Sequence, residues 1–350
     1  MKKILFTGGG SAGHVIPNLA LIEELLSQGK IDVCYMGSDG IEKKLLTERH
    51  IPYYTIHCPK LVRSKNFAAL KNNLRIPCSF QKAVKEAEKG LKIFQPDLVF
   101  SKGGYVALPV VFAAKKLGIP CLAHESDFSP GLANRLSAKK CKAVLTSFPE
   151  TAKKFKNGKY SGAPIRRALL TAKQAESRKS LGIPLKAQVL LVFGGGSGSK
   201  SVNEALRSAL NPLTKSYYIL HVCGKGNVIE SNFSNYRQYE FVSDMGTMYA
   251  CADLVVSRAG AGAVFEILAL KKPSLLIPLE GATRGDQLEN AKYFQTRGLC
   301  RVLPQKQLYN LEEEIRAAFE DEEMKKRLVD SNYSQGNTHI LKEISSLLYE

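Results

Sequence analysis

Two copies of the tetrad Gly-Gly-Gly-Ser are the feature of this sequence that points most directly to chemistry. They occupy residues 8–11 and 194–197, and each follows a short apolar run that predicts a strand. Helix-compatible segments come next, at residues 15–27 and 201–210. Where a strand, a glycine turn and a helix meet, unpaired N–H groups and the positive end of the helix dipole converge and favour an anion. The repeat predicts two similar α/β halves that handle phosphate groups.

A histidine directly follows the first glycine turn. Gly8-x-Gly10-x-x-Gly13 matches the dinucleotide-binding fingerprint, which is a weak signal on its own. The next residue, His14, stands at a predicted helix N-terminus, where the dipole disfavours the imidazolium form. We therefore expect His14 to stay neutral and to be able to accept a proton.

Polar loops follow two further predicted strands of the first half, at residues 102–105 (Lys-Gly-Gly-Tyr) and 124–127 (His-Glu-Ser-Asp). In an open α/β sheet the carboxyl ends of the strands line the ligand crevice. These loops and the first glycine turn are therefore expected at the same edge of one sheet.

The second half offers a further anion cradle, because the small residues from Ala259 to Ala263 open a predicted helix straight after a strand. Glu266, one turn into that helix, is suited to bind ribose hydroxyls. A charged side chain within the apolar run 263–270 is half-buried and needs a partner. Gln287, near the start of the next helix, offers its amide to a sugar.

Apolar runs and helical patterns alternate along the chain, which predicts parallel sheets built from βαβ units. The small-residue segment 161–164 marks the expected boundary between the halves. The predicted strands are residues 4–7, 31–36, 53–56, 98–101, 121–123, 143–146, 188–193, 217–223, 239–241, 254–257, 274–277 and 300–303.

Net positive charge is concentrated in the first half of the 350-residue chain. Residues 1–160 carry 26 Lys and Arg against 12 Asp and Glu, whereas residues 161–350 carry 24 against 20. The stretch 49–85 has eight basic residues and no acid, with apolar residues among them. That mixture suits an anionic membrane surface, and a solvated basic face is an equally good interpretation. Nucleic acid is not expected as a partner, because no nucleic-acid-binding motif accompanies the charge.

Several classes of protein are disfavoured by composition. No apolar stretch is long enough to span a membrane, and the apolar run at the start is too short for a signal peptide. The eight cysteines form no C-x-x-C pair. There is also no D-x-D, H-E-x-x-H or Walker ending, so neither a metal nor a cofactor is expected, and helix dipoles and backbone amides would stabilise a leaving diphosphate.

At these motifs the sequence resembles the GT-B glycosyltransferases and, within them, family 28. The resemblance covers essentially the whole chain. It is carried by Gly9-Gly10-Ser11-Ala12-Gly13-His14-Val15, Gly103-Gly104-Tyr105-Val106, His124-Glu125-Ser126-Asp127, Gly162-Ala163-Pro164-Ile165-Arg166, Ser257-Arg258-Ala259-Gly260 and Gln287-x-x-Asn290-Ala291.

The resemblance implies an α/β fold of two Rossmann-like parallel-sheet domains that face a cleft. Residues 1–163 would be the acceptor domain at the membrane side, residues 164–335 the UDP-sugar-binding domain, and a helix at about 336–350 would pack back on the first domain. The implied reaction is inverting transfer of N-acetylglucosamine from UDP-N-acetylglucosamine to undecaprenyl-diphospho-N-acetylmuramoyl-pentapeptide. The protein would act in peptidoglycan synthesis as a peripheral protein on the cytoplasmic face of the membrane, with its anionic inner surface as a partner.

The resemblance also implies roles for individual residues. Catalytic roles would fall to His14 as candidate base, Glu125 and Asp127. Substrates would be bound by Ser11, Ala12, Gly13, Gly104, Tyr105, Arg166, Gly196, Ser197, Val242, Ala261, Gly262, Ala263, Val264, Phe265, Glu266 and Gln287. Among these, Val242 would meet uracil through its backbone, residues 261–266 would hold the phosphates and ribose, and Gln287 would read the sugar hydroxyls.

Three departures from the family pattern concern single contacts. The serine of the second glycine loop is displaced by one place, Asp127 replaces the usual asparagine, and Ala263 and Phe265 stand where hydroxyl side chains are common. An alternative acceptor is another membrane lipid such as diacylglycerol, although the two loops at 103–105 and 124–125 suit a diphosphate. An NAD-dependent oxidoreductase is a weaker alternative, carried only by the first glycine turn.

Overall fold

The computed structural model describes residues 1–29, 31–59, 76–196, 198–281 and 285–349. The chain divides into two compact units. The first comprises Met1–Pro164 together with Gln335–Glu350, and the second comprises Ile165–Ser334. No helix in these described ranges is long and apolar enough to cross a membrane.

The first unit contains a parallel sheet, with the strand order β3-β2-β1-β4-β5-β6-β7. The order reverses between β1 and β4, the arrangement that places ligands at the carboxyl ends of those strands. The strands are β1 (Lys2–Thr7), β2 (Ile31–Gly37), β3 (Tyr53–Thr55), β4 (Leu98–Ser101), β5 (Cys121–Glu125), β6 (Ala143–Thr146) and β7 (Gly158–Tyr160).

Helices cover both faces of this sheet because its side chains alternate between two apolar layers. Ile4 and Phe6 belong to one buried cluster and Leu5 to the other. The helices of the unit are α1 (Ala12–Ser27), α2 (Ile41–Thr47), α3 (Ile76–Phe94), α4 (Ala107–Lys116), α5 (Leu132–Ser137), α6 (Pro149–Ala152) and the last helix of the chain, α16 (Gly336–Tyr349). A short 3₁₀ helix spans Ala138–Lys140.

The C-terminal helix α16 is part of the core of the first unit. Its Ile340, Ile344 and Leu348 lie in the same buried cluster as Ile4 and Phe6. Asn337 also donates to the Glu24 carboxylate on α1 (2.8 Å). Apolar burial and this hydrogen bond together fix the end of the chain on the first unit.

The second unit repeats the plan, with the strand order β10-β9-β8-β11-β12-β13 and every pair parallel. Its strands are β8 (Gln188–Phe193), β9 (Tyr217–Val222), β10 (Tyr236–Tyr239), β11 (Leu254–Ser257), β12 (Ser274–Leu276) and β13 (Arg301–Val302). Its helices are α7 (Arg167–Thr171), α8 (Gln174–Ser180), α9 (Lys200–Ser208), α10 (Leu210–Leu213), α11 (Met245–Cys251), α12 (Ala261–Ala269), α13 (Asp286–Gln295), α14 (Leu311–Glu320), α15 (Glu322–Asp330) and the 3₁₀ helix Gln305–Asn310.

The structure corrects one predicted strand and adds one that was not predicted. The strand expected at residues 239–241 is Tyr236–Tyr239, so it starts three residues earlier, and Phe241 lies beyond it, 74% exposed. The added strand is β7, whose residues Gly-Lys-Tyr lack an apolar run. β7 pairs only with β6, at the edge of the sheet, where a short polar strand is tolerated.

Candidate functional site

The first glycine turn joins β1 to α1 and is held by hydrogen bonds that involve two buried side chains. The Tyr35 hydroxyl donates to the carbonyl oxygen of Gly8 (2.6 Å), and the Asn18 amide donates to the Tyr35 hydroxyl (3.1 Å). Gly10 adopts φ +83°, and a Cβ there would collide with the ring of Tyr105. A glycine is therefore required, both for the backbone and for the close approach of Tyr105.

A buried carboxylate lies against this turn. Glu42, at the start of α2, accepts hydrogen bonds from the N–H of Ser38 (3.1 Å) and from the N–H of Gly10 (3.4 Å). A Cβ on Gly9 would collide with this carboxylate. One of the turn's N–H groups is thus already directed at an anion that belongs to the protein.

His14 is the third residue of α1 and is half-buried beside the turn. Its pKa is lowered to about 4, first by desolvation and then by the positive charge of Lys102, while Asp127, Glu42 and a hydrogen bond to the Lys102 carbonyl oppose the shift. The helix dipole was the expected cause of a neutral imidazole. In the structure, burial and Lys102 are the causes, and they keep His14 neutral at pH 7.

Gly104 leaves room for this imidazole. Its φ is +80°, and a Cβ there would lie 3.3 Å from Nε2 of His14 and would collide with the carbonyl oxygen of Gly9. The loop after β4 therefore approaches the first glycine turn so closely that only glycine fits.

Lys102, in the same loop, is buried to 2% exposure. Its Nζ lies 2.7 Å from Nδ1 of His124, and it also donates to the Ser126 hydroxyl. The other ring nitrogen of His124, Nε2, lies 2.9 Å from the carbonyl oxygen of Gly162. His124 and Glu125, expected in a loop, are the last residues of β5. The contacts of Lys102 and His124 therefore connect the loop after β4 to the end of β5, to the loop after β5 and to the end of the first unit.

Glu125, the last residue of β5, is held by the loop that follows it and by α5. Its carboxylate accepts from the N–H of Asp127 (3.1 Å), the N–H of Gly131 (2.7 Å) and Nδ2 of Asn134 (2.9 Å). Asp127 is close enough to raise the pKa values of both His14 and Lys102. Of the two acidic residues expected to be catalytic, Asp127 is thus the one whose charge acts on His14 most strongly.

The first unit therefore brings most of its expected site residues to one sheet edge. Ser11 and Gly13 are exposed at the start of α1, and Tyr105 and Gly104 pack against the turn that precedes it. Ala12 begins α1. The stretch 60–75, which holds much of the basic segment expected to meet a membrane, lies outside the described residues.

In the second unit the glycine loop between β8 and α9 borders a cleft. Gly195 and Gly198 have φ values of +91° and +74°, and Gly196 is exposed. A Cβ on Gly198 would collide with the carbonyl oxygen of Cys223. Ser197, expected to touch phosphate, lies outside the described residues.

Arg258 lies in this cleft, although its motif predicted no role for it. Its guanidinium donates to the hydroxyls of Ser199 (2.8 Å) and Ser201 (2.9 Å) and to the carbonyl oxygen of Ile277 (3.2 Å). The cleft, of about 440 Å³, is lined by Arg258, Ser199 and Gln287 among others. The position of Arg258 at the carboxyl end of β11 is the signal that could have found it.

Glu266 forms an ion pair that the sequence did not reveal. Its Oε1 accepts from both Nε and Nη2 of Arg166 (3.0 and 2.9 Å), and its Oε2 lies 3.3 Å from the Tyr249 hydroxyl. Burial raises the pKa of Glu266, although Arg166 opposes the shift. The structure thus brings together Arg166 and Glu266, both expected to be near a nucleotide.

The start of α12 can offer a ligand its backbone but few side chains. Val264 and Phe265 are buried, and Phe265 packs edge-on against Phe294 (5.4 Å). Gly262 is exposed, Ala263 is half-buried and Ala261 is buried. Hydroxyl side chains are absent from these positions, so any contact with phosphate there is made by N–H groups.

Gln287 and Val242 complete the expected set. Oε1 of Gln287 accepts from the N–H of Leu279 (3.0 Å), which holds the side chain at the cleft. Val242 is half-buried in the loop after β10. Within the described ranges, no group of three or more His, Cys, Asp and Glu could hold a metal ion.

Sequence comparison assigns the chain to a family. The glycosyltransferase family 28 N-terminal domain matches residues 4–146, and the family 28 C-terminal domain matches residues 189–344. The chain belongs to glycosyltransferase family 28. It is therefore a glycosyltransferase, and the family predicted from its motifs is confirmed.

Curated relatives have one name in common, UDP-N-acetylglucosamine–N-acetylmuramyl-(pentapeptide) pyrophosphoryl-undecaprenol N-acetylglucosamine transferase. The protein of that name from Clostridium perfringens is 45% identical over 313 residues, which are 87% of this chain and 86% of the relative. The one from Clostridium botulinum is 45% identical over 315 residues, 88% of each chain. These names agree with the main prediction and favour it over a neutral-lipid acceptor.

Solved structures support the same fold. The crystal structure of Acinetobacter baumannii MurG is similar with a TM-score of 0.77 at 27% identity, covering 99% of this chain and 100% of that one. A glycosyltransferase of kitacinnamycin has a TM-score of 0.76 at 16% identity, covering 99% of each chain, and shows the fold alone. The prediction of two Rossmann-like parallel-sheet domains is confirmed.

Proposed function

We propose that this chain transfers N-acetylglucosamine from UDP-N-acetylglucosamine to undecaprenyl-diphospho-N-acetylmuramoyl-pentapeptide, with inversion at the anomeric carbon. The observation that carries the proposal is the 45% identity to relatives of that name over 87% of the chain. The arrangement of the polar side chains in each unit supports it.

The second unit is proposed to bind the donor. Glu266, fixed by Arg166, would hold the ribose hydroxyls, and Gln287 the sugar hydroxyls. Backbone N–H groups of residues 261–263, which precede the first intrahelical bond from the Val264 N–H to the Gly260 carbonyl (3.1 Å), and of the loop at Gly196 and Ser197 would meet the diphosphate, with the backbone of Val242 on uracil. Arg258 supplies a fixed positive charge beside this loop through its bonds to two serines, which favours the departing UDP.

The first unit is proposed to bind the acceptor and to supply the base. Ser11, Ala12, Gly13, Gly104 and Tyr105 would border the reacting groups. An acceptor hydroxyl attacks the anomeric carbon, the bond from that carbon to the diphosphate breaks, and His14 takes the hydroxyl proton. A neutral imidazole at pH 7 has the free lone pair this step needs.

The proposed location is the cytoplasmic face of the cell membrane, where the protein is peripheral and contacts anionic lipids. The acid-free basic segment 49–85 motivates this proposal. Electrostatic attraction of about 1 kcal/mol for each Lys or Arg near the surface would hold the enzyme beside its lipid-linked substrate.

Incubation with radiolabelled UDP-N-acetylglucosamine tests the function. Label should enter the organic phase with undecaprenyl-diphospho-N-acetylmuramoyl-pentapeptide as acceptor, and the new glycosidic bond should be β by NMR. Diacylglycerol vesicles provide the parallel arm for the alternative acceptor. Incorporation into diacylglycerol alone would contradict the proposal.

A further inference from the structure

Lys102, which precedes Gly103 and Gly104, is unusual because its ammonium group is buried. Lys102 is 2% exposed, and burying an ammonium is costly unless it is paired and hydrogen-bonded. Here its Nζ bonds to Nδ1 of His124 (2.7 Å) and to the hydroxyl of Ser126. Neither the family names nor the motif comparison gives this residue a role.

These contacts determine the tautomer of His124. An ammonium only donates, so Nδ1 must accept, and the ring proton must sit on Nε2. Nε2 then donates to the carbonyl oxygen of Gly162 (2.9 Å). One lysine therefore holds the segment 124–127 at two places, His124 near the end of β5 and Ser126 in the loop that follows.

The same residue also contacts the candidate base through its backbone. The His14 imidazole is hydrogen-bonded to the Lys102 carbonyl. The charged groups that act on His14 are the Lys102 ammonium, the Asp127 carboxylate and the Glu42 carboxylate. Lys102 and Asp127 belong to the two loops that the Lys102 side chain joins, so movement of either loop would change the field at His14.

We propose that Lys102 is a positioning residue for the transfer reaction: its buried ammonium holds residues 124–127, the end of β5 and the start of the following loop, against the loop after β4, and so keeps Asp127 and the His14 imidazole in register. The inference rests on the proposed function, because it takes His14 as the base.

The pKa values are consistent with this geometry. Desolvation lowers the pKa of Lys102 to about 8, while Glu125 and Asp127 oppose the shift. The lysine therefore remains mostly protonated at pH 7 and can donate to both partners. Its charge in turn helps to lower the pKa of His14.

Lys102→Met tests the inference, because methionine has a similar length and no charge. We expect kcat to fall by about 10- to 100-fold through misplacement of the reacting groups, with the KM for UDP-N-acetylglucosamine unchanged. Lys142→Met is the matched control. Lys142 is an exposed lysine just before β6, at the opposite end of that strand from the candidate site, and its replacement should leave kcat at the wild-type value.

A second readout needs no substrate. The His14 imidazole is titrated by NMR in the full chain and assigned with His14→Gln. Its pKa should rise in Lys102→Met, because a nearby positive charge is lost, and stay unchanged in Lys142→Met. A lysine that merely stabilised the fold would lower the melting temperature without moving this titration.

The outcomes separate the inference from the function it rests on. Wild-type kcat together with an unchanged His14 titration in Lys102→Met would overturn the inference. If that variant does not fold, Ser126→Ala removes one of the two anchors on the loop, and an undiminished kcat there would overturn it. A wild-type chain that transfers no sugar would overturn the proposed function, whereas the NMR titration would still decide whether the Lys102 ammonium acts on His14.

Discussion

Replacing Glu266 by alanine is the sharpest test of the proposed donor site. The carboxylate has acceptor positions for about four hydrogen bonds. Two are taken by Arg166 at Oε1 and one by the Tyr249 hydroxyl at Oε2. One position on Oε2 therefore remains for a ribose hydroxyl, and Arg166 and Tyr249 hold the carboxylate in place for it.

The size of the effect follows from that count. A hydrogen bond to a charged group contributes about 1.5–3 kcal/mol, so Glu266→Ala should weaken UDP binding by about 10- to 150-fold. Glu266→Gln keeps an oxygen for Arg166 and loses the charge, so its effect should be smaller. Glu230→Ala, which removes an exposed acid elsewhere in the second unit, is the control.

Isothermal titration calorimetry with UDP measures these affinities, and thermal unfolding of each variant establishes that it is folded. The Arg166 guanidinium, with its side chain 25% exposed, can be hydrated after its partner is removed, so we expect Glu266→Ala to remain folded. If UDP binds to a folded Glu266→Ala protein as tightly as to the wild type, Glu266 does not hold the nucleotide and the proposed donor site is wrong.

Four further predictions address the base, metals, the membrane and pH. His14→Ala should lower kcat by about 100-fold or more with UDP affinity little changed, and an intact kcat with a raised acceptor KM would instead make His14 a binding residue. Turnover should survive excess EDTA, since the sequence has no D-x-D triplet; a loss of activity that Mg²⁺ restores would show dependence on a cation. Binding to anionic vesicles should weaken as salt rises. Combined charge reversal at Arg63, Lys65, Lys71 and Arg75 should abolish it. If that variant still sediments with the vesicles as the wild type does, the basic segment is a solvated face and does not bind the membrane. Finally, burial lowers the pKa of His221 from 6.5 to about 4 in the folded chain, so the unfolded chain takes up the proton first as pH falls. Stability is then lost progressively between about pH 6.5 and pH 4, by about 2 kcal/mol at pH 5 for this group. Urea unfolding of wild type and His221→Asn at pH 7 and pH 5 checks this, and equal pH dependence in the two proteins would contradict it.

The fold was predictable because its signal is local. Buried parallel strands are short apolar runs, so β1, β4, β6, β8 and β11 could all be placed from the sequence. Glycines close behind β1, β4 and β8 also mark where those strands end. The errors fall on strands that lack this signal. β7 and β10 are both edge strands that pair on one side only, and β10 itself is Tyr-Arg-Gln-Tyr, which lacks an apolar run.

The candidate site was predictable only to the level of its loops. Strand order places the loops after β1, β4 and β5 together at one edge of the sheet, whichever side chains they carry. Which side chains pair there depends on burial and on contacts between residues distant in sequence. Nothing in the sequence around Lys102 distinguishes a buried ammonium from a solvated one, and Glu125 could not be recognised as an anchor of its own loop without Gly131 and Asn134 in place.

The two glycine tetrads have the same local sequence and different charged neighbours. Both follow a parallel strand and open a helix, and backbone geometry alone would make each an anion site. The buried charged side chain beside each tetrad distinguishes the two turns. The first turn has the Glu42 carboxylate against it, accepting from the N–H of Gly10, whereas the second has the Arg258 guanidinium beside it, bonded to Ser199 and Ser201. A fixed guanidinium attracts the negative charge that develops on a departing diphosphate, whereas a fixed carboxylate repels it. In the proposed reaction the second turn is therefore better suited to the leaving UDP, and the first turn to holding a neutral imidazole beside the acceptor hydroxyl.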